Sequence, residues 1–249
     1  MRVFATYNIK GGVGKTSTAV NLAHLAAREG RRTLLWDLDP QGAATYLFRV
    51  RPRVKGGARD LVTRRCRIEA ALKATDFDNL DLLPADFSYR NMDLELDETK
   101  KRTRRLGQLL DTVASEYDVV FLDCPPSISL VSENVLHASD TLLVPLIPAT
   151  LSLRTLDQLT RFVADSSGTR PELVAFFSMA DRRKRLHREV IDTMSREGTR
   201  VAGTVIPALA IIEQMAERRA PVTAFAPTSR AAKCYEQLWA EVGPALTGR

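Results

Sequence analysis

The stretch "YNIKGGVGKTSTAVNLAH", residues 7–24, decides the fold of this chain, because its glycine-rich loop joins an apolar strand pattern to a helix pattern. A phosphate-binding loop requires that context. Glycines let the backbone curl so that successive N–H groups point at phosphate oxygens, and the positive end of the following helix adds to the attraction. The predicted phosphate-binding residues are Gly11, Gly12, Val13, Gly14, Lys15, Thr16 and Ser17.

Three residues of the loop predict the chemistry at this site. Lys15 is placed to reach the β- and γ-phosphates of a nucleotide, and the Thr16 hydroxyl is placed to ligate Mg²⁺. A plain turn with incidental lysines is the competing interpretation, but strand, glycines, Lys-Thr and helix all coincide here. Lys10, in front of the glycines, is not part of the commonest form of the motif. Taken alone, it is a solvated lysine at a strand end.

Short apolar segments alternate with helix-length segments along the chain. Strands are predicted at 2–8, 33–37, 80–83, 118–123, 141–146, 172–178 and 202–206, and helices at 14–29, 100–116, 127–138, 150–166, 181–197 and 228–242. The strand segments are almost continuously apolar, which is typical of parallel strands buried on both faces. The pattern predicts an α/β fold with a doubly wound, mostly parallel sheet and helices on both faces. We expect residues 1–249 to form a single P-loop NTPase domain, with 49–78 as an excursion at one sheet edge.

Composition indicates a globular chain. Hydrophobic residues make up 45% of the 249 residues, and no apolar segment approaches the length of a membrane span. Three widely spaced cysteines and no recognisable signal peptide predict a cytoplasmic protein. The net charge of +6 suits either simple solubility or a polyanionic partner.

Aspartates end two of the predicted strands. "LLWDLDPQG", residues 34–42, places Asp37 and Asp39 where one could orient a water and the other support the Mg²⁺ shell. "VVFLDCPPS", residues 119–127, ends an apolar strand at Asp123, which is typical of a carboxylate that reaches the metal, usually through water. The predicted metal site therefore combines Thr16, Asp39 and Asp123. A turn led by Asp-Pro is the alternative for the first segment.

The variant loop K-G-G-x-G-K-T resembles the deviant Walker A box of the ParA/MinD (Soj-like) ATPases, and the chain is most similar to the ParA type. The resemblance implies ATP and Mg²⁺ as cofactors and an ATP-sandwich homodimer, with Lys15 acting in cis and Lys10 in trans. It also implies that Asp39, in the D-x-D-P-Q-G segment, governs hydrolysis. Val205-Ile206-Pro207 matches a segment that flanks adenine in the family, so Pro207 is a predicted nucleotide contact.

Basic residues cluster in three segments, 49–67, 100–105 and 181–188. The resemblance places a DNA-contacting arginine at Arg183, so the predicted DNA-binding residues are Arg182, Arg183, Lys184, Arg185 and Arg188. A second family arginine linked to DNA binding is replaced by Ile211, and the basic residues next to Arg183, as well as Arg218 and Arg219, are candidates to compensate. Binding would be to phosphates and independent of sequence. For 100–105 a solvated helix face is the favoured interpretation, and for 49–67 DNA, a partner protein and solvent stay open.

The resemblance implies an ATPase with a slow basal rate that is stimulated by a ParB-like or adaptor protein on the cargo. The cargo would be a plasmid, a chromosome region or a large protein assembly, and the protein would associate with the nucleoid. A MinD-like membrane ATPase is one alternative, but the stripe from Ala231 to Val242 on the last helix is typical of core packing, so no stable membrane attachment is expected. A small-molecule kinase or ligase is another. An iron–sulfur reductase would need paired cysteines, which the chain does not offer.

Overall fold

Eight strands form one sheet in the computed structural model, which describes residues 1–166, 170–196 and 201–243. The strands are β1 (Arg2–Thr6), β2 (Thr33–Asp37), β3 (Lys73–Ala74), β4 (Leu80–Leu83), β5 (Val119–Asp123), β6 (Thr141–Leu146), β7 (Glu172–Ala180) and β8 (Val201–Pro207). Their order in the sheet is β3-β4-β2-β5-β1-β6-β7-β8. All neighbours are parallel except the short edge strand β3, which runs antiparallel to β4. The predicted doubly wound α/β fold is therefore confirmed.

Helices connect the strands on both faces of the sheet. The α-helices are α1 (Lys15–Arg28), α2 (Ala43–Leu47), α3 (Gly57–Val62), α4 (Ile68–Ala71), α5 (Met92–Asp97), α6 (Arg105–Leu110), α7 (Leu130–Ala138), α8 (Thr150–Asp165), α9 (Arg185–Arg196), α10 (Ala210–Glu213), α11 (Met215–Arg218), α12 (Val222–Phe225) and α13 (Arg230–Val242). Two 3₁₀ segments, Phe87–Asn91 and Asp111–Val113, complete them. Among the described residues, no helix is both long and apolar enough to cross a membrane.

The predicted helix at 100–116 is wrong in length. Only α6 and the 3₁₀ segment after it are helical there, and residues 100–104 form turns. Five cations lie within 100–105, and like charges one turn apart oppose helix formation. The short helices α2 to α5 and α10 to α12 were not predicted, since segments of four to six residues carry too little periodicity.

Alternate residues of the central strands face two separate cores. Phe4 and Phe121 stack with ring centroids 5.4 Å apart on the face covered by α1 and α13, where Trp239 meets both rings. Trp36 points into the opposite core, beneath α3, α6 and α7. Burial on both faces explains the unbroken apolar strands seen in the sequence.

The strand register assembles the functional end of the sheet. Thr6 pairs with Asp123, and Asp123 pairs with Asp37, so three polar residues lie side by side at the carboxyl ends of β1, β5 and β2. Ligands of open α/β sheets bind at these ends. The loop from β1 to α1 lies at the same place.

Candidate nucleotide-binding site

The loop between β1 and α1 depends on glycine. Gly12 and Gly14 have φ angles of 69° and 93°, in the left-handed region that side chains disfavour. A Cβ atom on Gly14 would lie 2.7 Å from the Ser178 hydroxyl of β7. Helix α1 begins at Lys15 without a side-chain cap, so its first N–H groups are available to an anion. The loop has the geometry of a phosphate cradle.

Lys15 lies across this loop. Its ammonium donates a hydrogen bond to the carbonyl oxygen of Lys10 at 3.1 Å, and the residue is only 7% exposed. Burial lowers the pKa of the Lys15 ammonium, and the nearby Asp123, Cys124 and Asp39 partly offset that effect. A bound phosphate would supply the anionic partner that favours the charged form.

Asp37 and Asp39 have different environments although they are two residues apart. Asp37 is fully buried and accepts hydrogen bonds from the Thr45 backbone N–H at 2.8 Å and the Thr45 hydroxyl at 2.7 Å. Burial raises the pKa of Asp37 to about 6, against the opposing effect of these hydrogen bonds. Asp39 is half-buried and lines the cavity described below, and its carboxylate accepts the Gln41 N–H at 2.9 Å. Asp37 therefore fastens the start of α2, and Asp39 is the one within reach of a ligand.

Asp123 has the properties of a metal-binding carboxylate. Its Oδ1 accepts a long hydrogen bond from the Thr6 hydroxyl at 3.4 Å, and its buried Oδ2 has no hydrogen-bond partner among the described residues. Burial, reinforced by Asp37, raises the pKa of Asp123 well above its usual range, and the neighbouring Thr16 hydroxyl opposes the rise. Hard oxygen donors are the ligands that Mg²⁺ prefers. The orphaned oxygen of Asp123, with Thr16 beside it, fits that ion.

A cavity of about 360 Å³ opens next to the loop. One side, the phosphate wall, consists of Gly11, Gly12, Gly14, Lys15, Thr16, Ser17 and Asp39. The other, the apolar wall, consists of Ile206, Pro207, Leu209, Ile212 and Tyr235. Residues Pro126, Ser178, Met179, Ala208 and Glu213 complete the lining. A polar wall facing an apolar one suits a phosphorylated ligand with a flat ring.

Sequence reasoning found most of the phosphate wall and little of the apolar wall. Gly11, Gly12, Gly14, Lys15, Thr16, Ser17, Asp39 and Pro207 all line the cavity. Val13 does not, because its side chain is buried in the protein. Tyr235, Ser178 and Met179 carried no sequence signal for this site. Met179 adopts a φ of 54°, unusual for a residue with a side chain, so the backbone is strained where β7 meets the cavity.

A buried polar network connects α1, which follows the phosphate loop, to α11 and α12. Asn21 of α1 donates to the Ser17 carbonyl at 2.7 Å and accepts at 3.1 Å from both the N–H and the hydroxyl of Thr223 in α12. Because the Thr223 hydroxyl gives its proton to Asn21, the His24 Nδ1 at 2.8 Å must be the donor to it. Burial lowers the pKa of His24 to about 4, so the ring is neutral at pH 7. The Asn21 side-chain nitrogen also lies 3.4 Å from the sulfur of Met215, the first residue of α11.

Lys10 contrasts with Lys15. Its side chain is exposed, while its backbone N–H donates to the Asn8 side chain at 2.8 Å and its carbonyl accepts from Lys15 at 3.1 Å. Within the described ranges its ammonium forms no ion pair. The lysine is therefore free to meet a ligand outside its own chain.

The basic segment 181–188 follows β7, on the side of the sheet that carries the cavity. Arg183 is 91% exposed and binds Asp181 through two hydrogen bonds of 3.0 Å, which lower the pKa of Asp181 to about 2. Arg185 pairs with Glu189 at 2.6 Å, and Arg188 donates to the Arg182 carbonyl at 3.1 Å. Lys184 is exposed as well. The five predicted DNA-binding residues are therefore all exposed.

Arg218 is the last residue of α11, and Arg219 follows it. Arg219 stacks on Tyr46, 4.5 Å from the ring centroid, and donates to the Tyr46 carbonyl, while the Arg218 carbonyl accepts from Arg49. These contacts join α11 to the α2 region.

Known proteins are similar to this chain in sequence and in fold. The family described as AAA domain matches residues 1–173. The sporulation initiation inhibitor protein Soj of Bacillus subtilis is 34% identical over 97% of this chain and 98% of its own length. The chromosome partitioning protein ParA of Caulobacter vibrioides is 33% identical over 97% of this chain and 94% of its own.

A solved structure is similar to this chain in fold. Cobyrinic acid a,c-diamide synthase from Mycobacterium smegmatis, with bound ADP and magnesium, superposes with a TM-score of 0.82 and 29% identity, covering 100% of this chain and 97% of its own. The phosphate loop, the paired strand ends and the identity of 33–34% to Soj and ParA over nearly the whole chain agree with one another. The chain belongs to the ParA/MinD family of P-loop ATPases.

Proposed function

We propose that this chain is a partition or positioning ATPase that dimerises on ATP, binds DNA without sequence preference and moves a cargo. ATP and Mg²⁺ are its cofactors. The cargo is a plasmid, a chromosome region or a large protein assembly, and the protein acts in the cytoplasm on the nucleoid. The observation that carries the proposal is Lys10, an exposed and unpaired lysine beside a phosphate loop that already has Lys15.

The residues of one subunit account for nucleotide binding. The backbone N–H groups of 11–17 hold the phosphates, and Lys15 exchanges the Lys10 carbonyl for a phosphate oxygen. Thr16, Asp123 and Asp39 would hold Mg²⁺. When bound, Mg²⁺ neutralises the phosphate charge. Asp39, the half-buried carboxylate of the lining, accepts a hydrogen bond from the attacking water and orients it.

A second copy completes the site in this proposal. Lys10 would reach the nucleotide of the partner subunit and stabilise charge on the transferred phosphoryl group. Ile128 is 57% exposed and Leu151 is 68% exposed, and both follow the carboxyl ends of strands next to β1. Large apolar side chains exposed at that edge support a contact between copies there.

The first experiment measures dimer formation and hydrolysis of Lys10→Ala. The variant should bind ATP with unchanged affinity, since the lysine is outside its own phosphate cradle, and should lose about 100-fold or more in hydrolysis. ATP affinity is measured by calorimetry, and mass by light scattering with and without ATP. Lys184→Ala, which removes another exposed lysine, serves as the control. Normal hydrolysis by Lys10→Ala would disprove action in trans.

DNA binding is assigned to the surface of Arg182, Arg183, Lys184, Arg185 and Arg188. Arg183→Ala should weaken duplex retention about threefold to tenfold at low salt with ATP present, and should lower the salt dependence. The control is Arg161→Ala, an exposed arginine on α8. Equal DNA retention by the wild type and by Arg183→Ala would show that Arg183 does not contribute to DNA binding.

A small-molecule ligase is the second candidate, favoured by the 29% identity to cobyrinic acid a,c-diamide synthase. A ligase should hydrolyse ATP only with its small substrate. A partition ATPase should hydrolyse ATP slowly alone and faster with DNA and a ParB-like partner protein. A membrane-cycling function has less support, because the predicted core stripe of α13 is indeed buried.

A further inference from the structure

Two basic segments without an assigned role, 49–67 and 100–105, meet in the folded chain. They form a groove of about 750 Å³ between the end of α3 and helix α6. Its cations are Arg64, Lys100, Lys101 and Arg105, and its other lining residues are Thr63, Thr99, Gln108, Asp111 and Thr112. We call this the basic groove. The two segments are more than thirty residues apart in sequence, so only folding brings them together.

The two arginines of the basic groove are held by neutral groups. Arg64 has a left-handed backbone, with φ of 62°, and donates to the Gln108 carbonyl at 3.0 Å. Arg105 donates to the Val62 carbonyl and, at 3.3 Å, to the Gln108 side chain. Burial and the nearby Arg64 lower the pKa of Arg105. Two guanidinium groups are thus fixed close together without a carboxylate between them.

Other arginines of the same segments are neutralised locally. Arg49 pairs with Asp76, Arg67 with Glu69, and Arg102 with Asp97. No such pair forms for the four cations of the basic groove within the described ranges, and Asp111 is the only acidic residue in its lining. The folded chain therefore leaves an unbalanced positive charge in a concave site.

The basic groove lies away from the nucleotide. Lys101 and Asp111 also border a neighbouring depression formed with Met1, Val3 and Asp140, at the amino ends of β1 and β6. The nucleotide cavity is at the carboxyl ends of the strands. A ligand in the basic groove would therefore not depend on ATP or on a dimer contact at the opposite edge.

We propose that the basic groove binds an acidic segment of a partner protein, whatever the nucleotide state. An extended chain can bring carboxylates to the recessed Arg105 as well as to the exposed lysines, and its backbone can hydrogen-bond the threonines and Gln108. A rigid duplex binds more readily to protruding cations such as Arg183, whose side chain is 91% exposed. Charge complementarity and the recessed shape both favour the peptide.

The test uses fluorescence anisotropy with a labelled decapeptide of alternating glutamate and serine, and with a labelled DNA duplex. The full-length protein should bind the peptide at low salt equally with ATP, with ADP and without nucleotide. The Lys100→Ala/Lys101→Ala variant should bind it about fivefold more weakly or worse, since two close charge pairs are lost. Arg64→Ala should weaken it about threefold. Basal ATP hydrolysis should not change in either variant.

The control variant, Arg154→Ala/Arg161→Ala, removes two exposed cations from α8. It should keep full peptide affinity, and an equal loss would overturn the proposal because net charge alone would explain it. Failure of wild type to bind the peptide at low salt would also overturn it. So would loss of duplex binding, rather than peptide binding, in Lys100→Ala/Lys101→Ala, which would assign the groove to nucleic acid.

Discussion

The two walls of the nucleotide cavity are built in opposite ways. The phosphate wall comes from one run of residues, 11–17, plus Asp39, and two left-handed glycines shape it. The apolar wall takes residues from β8, α10 and α13, with Met179 strained beside it. The wall that binds charge is local in sequence, and the wall that selects the ring is assembled by packing. Substitutions in the phosphate wall should therefore remove a direct interaction with phosphate. Substitutions that affect the apolar wall should instead change where its residues lie.

The largest effect is expected at Lys15. Lys15→Ala removes a charge-assisted hydrogen bond to phosphate, and ATP affinity should fall on the order of 100-fold. The fold should stay intact, because the only hydrogen bond lost is the one to the Lys10 carbonyl. Calorimetric titration with ATP gives the affinity, and Lys10→Ala is the matched control with unchanged binding. Equal affinities for both variants would contradict the difference drawn between the two lysines.

The buried carboxylate behind the phosphate wall should make stability depend on pH. The folded-state pKa of Asp37 is raised to about 6 by burial, so between its unfolded value near 4 and that pKa the folded protein holds more protons than the unfolded chain. Stability should therefore fall as pH rises across this window, by about 2 to 3 kcal/mol, and level off above it. Urea unfolding across the window measures the change.

The Asp37→Asn variant tests whether Asp37, and not another carboxylate, causes the pH dependence of stability. The variant keeps an oxygen that can accept from Thr45 and cannot ionise, so its stability should depend less on pH than that of wild type. A slope as steep as in wild type would assign the effect to another group, with Asp123 the first alternative because burial raises its pKa in the same direction.

The smallest effect is expected at Thr223 of α12, outside the cavity lining. Thr223→Val keeps the shape of the side chain and removes the hydroxyl that joins Asn21 to His24. ATP affinity should fall about fivefold to tenfold, because unpaired buried groups cost about 1–3 kcal/mol and part of that loosens α10 to α12. Affinity for tripolyphosphate, which needs only the phosphate wall, should not change. The two affinities are compared by competition with a fluorescent nucleotide.

Thr193→Val, at an exposed position of α9, is the control for this substitution. If Thr223→Val weakened tripolyphosphate as much as ATP, the network would support the whole site rather than position the apolar wall. That result would contradict the proposal that the two walls respond differently to substitution.

The same division explains how much could be predicted. Lys15, Thr16 and the loop glycines were identified because their chemistry depends on consecutive residues and on a strand and helix at either end. Asp123 was identified because it ends an apolar strand. Tyr235 was assigned only to the core, because a tyrosine on the buried stripe of α13 gives no sign that it also borders a cavity.

The sequence by itself determined the parallel sheet, the phosphate loop and the residues offered to Mg²⁺, because backbone periodicity and loop conformation are set by neighbours along the chain. Only the tertiary structure decided that Asp37 anchors α2 while Asp39 lines the cavity. It also decided that Asn21 connects α1 to α12, and that Arg64 and Lys100 share a groove. The physical reason is that burial, hydrogen-bond partners and charge neighbours depend on segments far apart in sequence, which meet only when the two cores pack against the sheet.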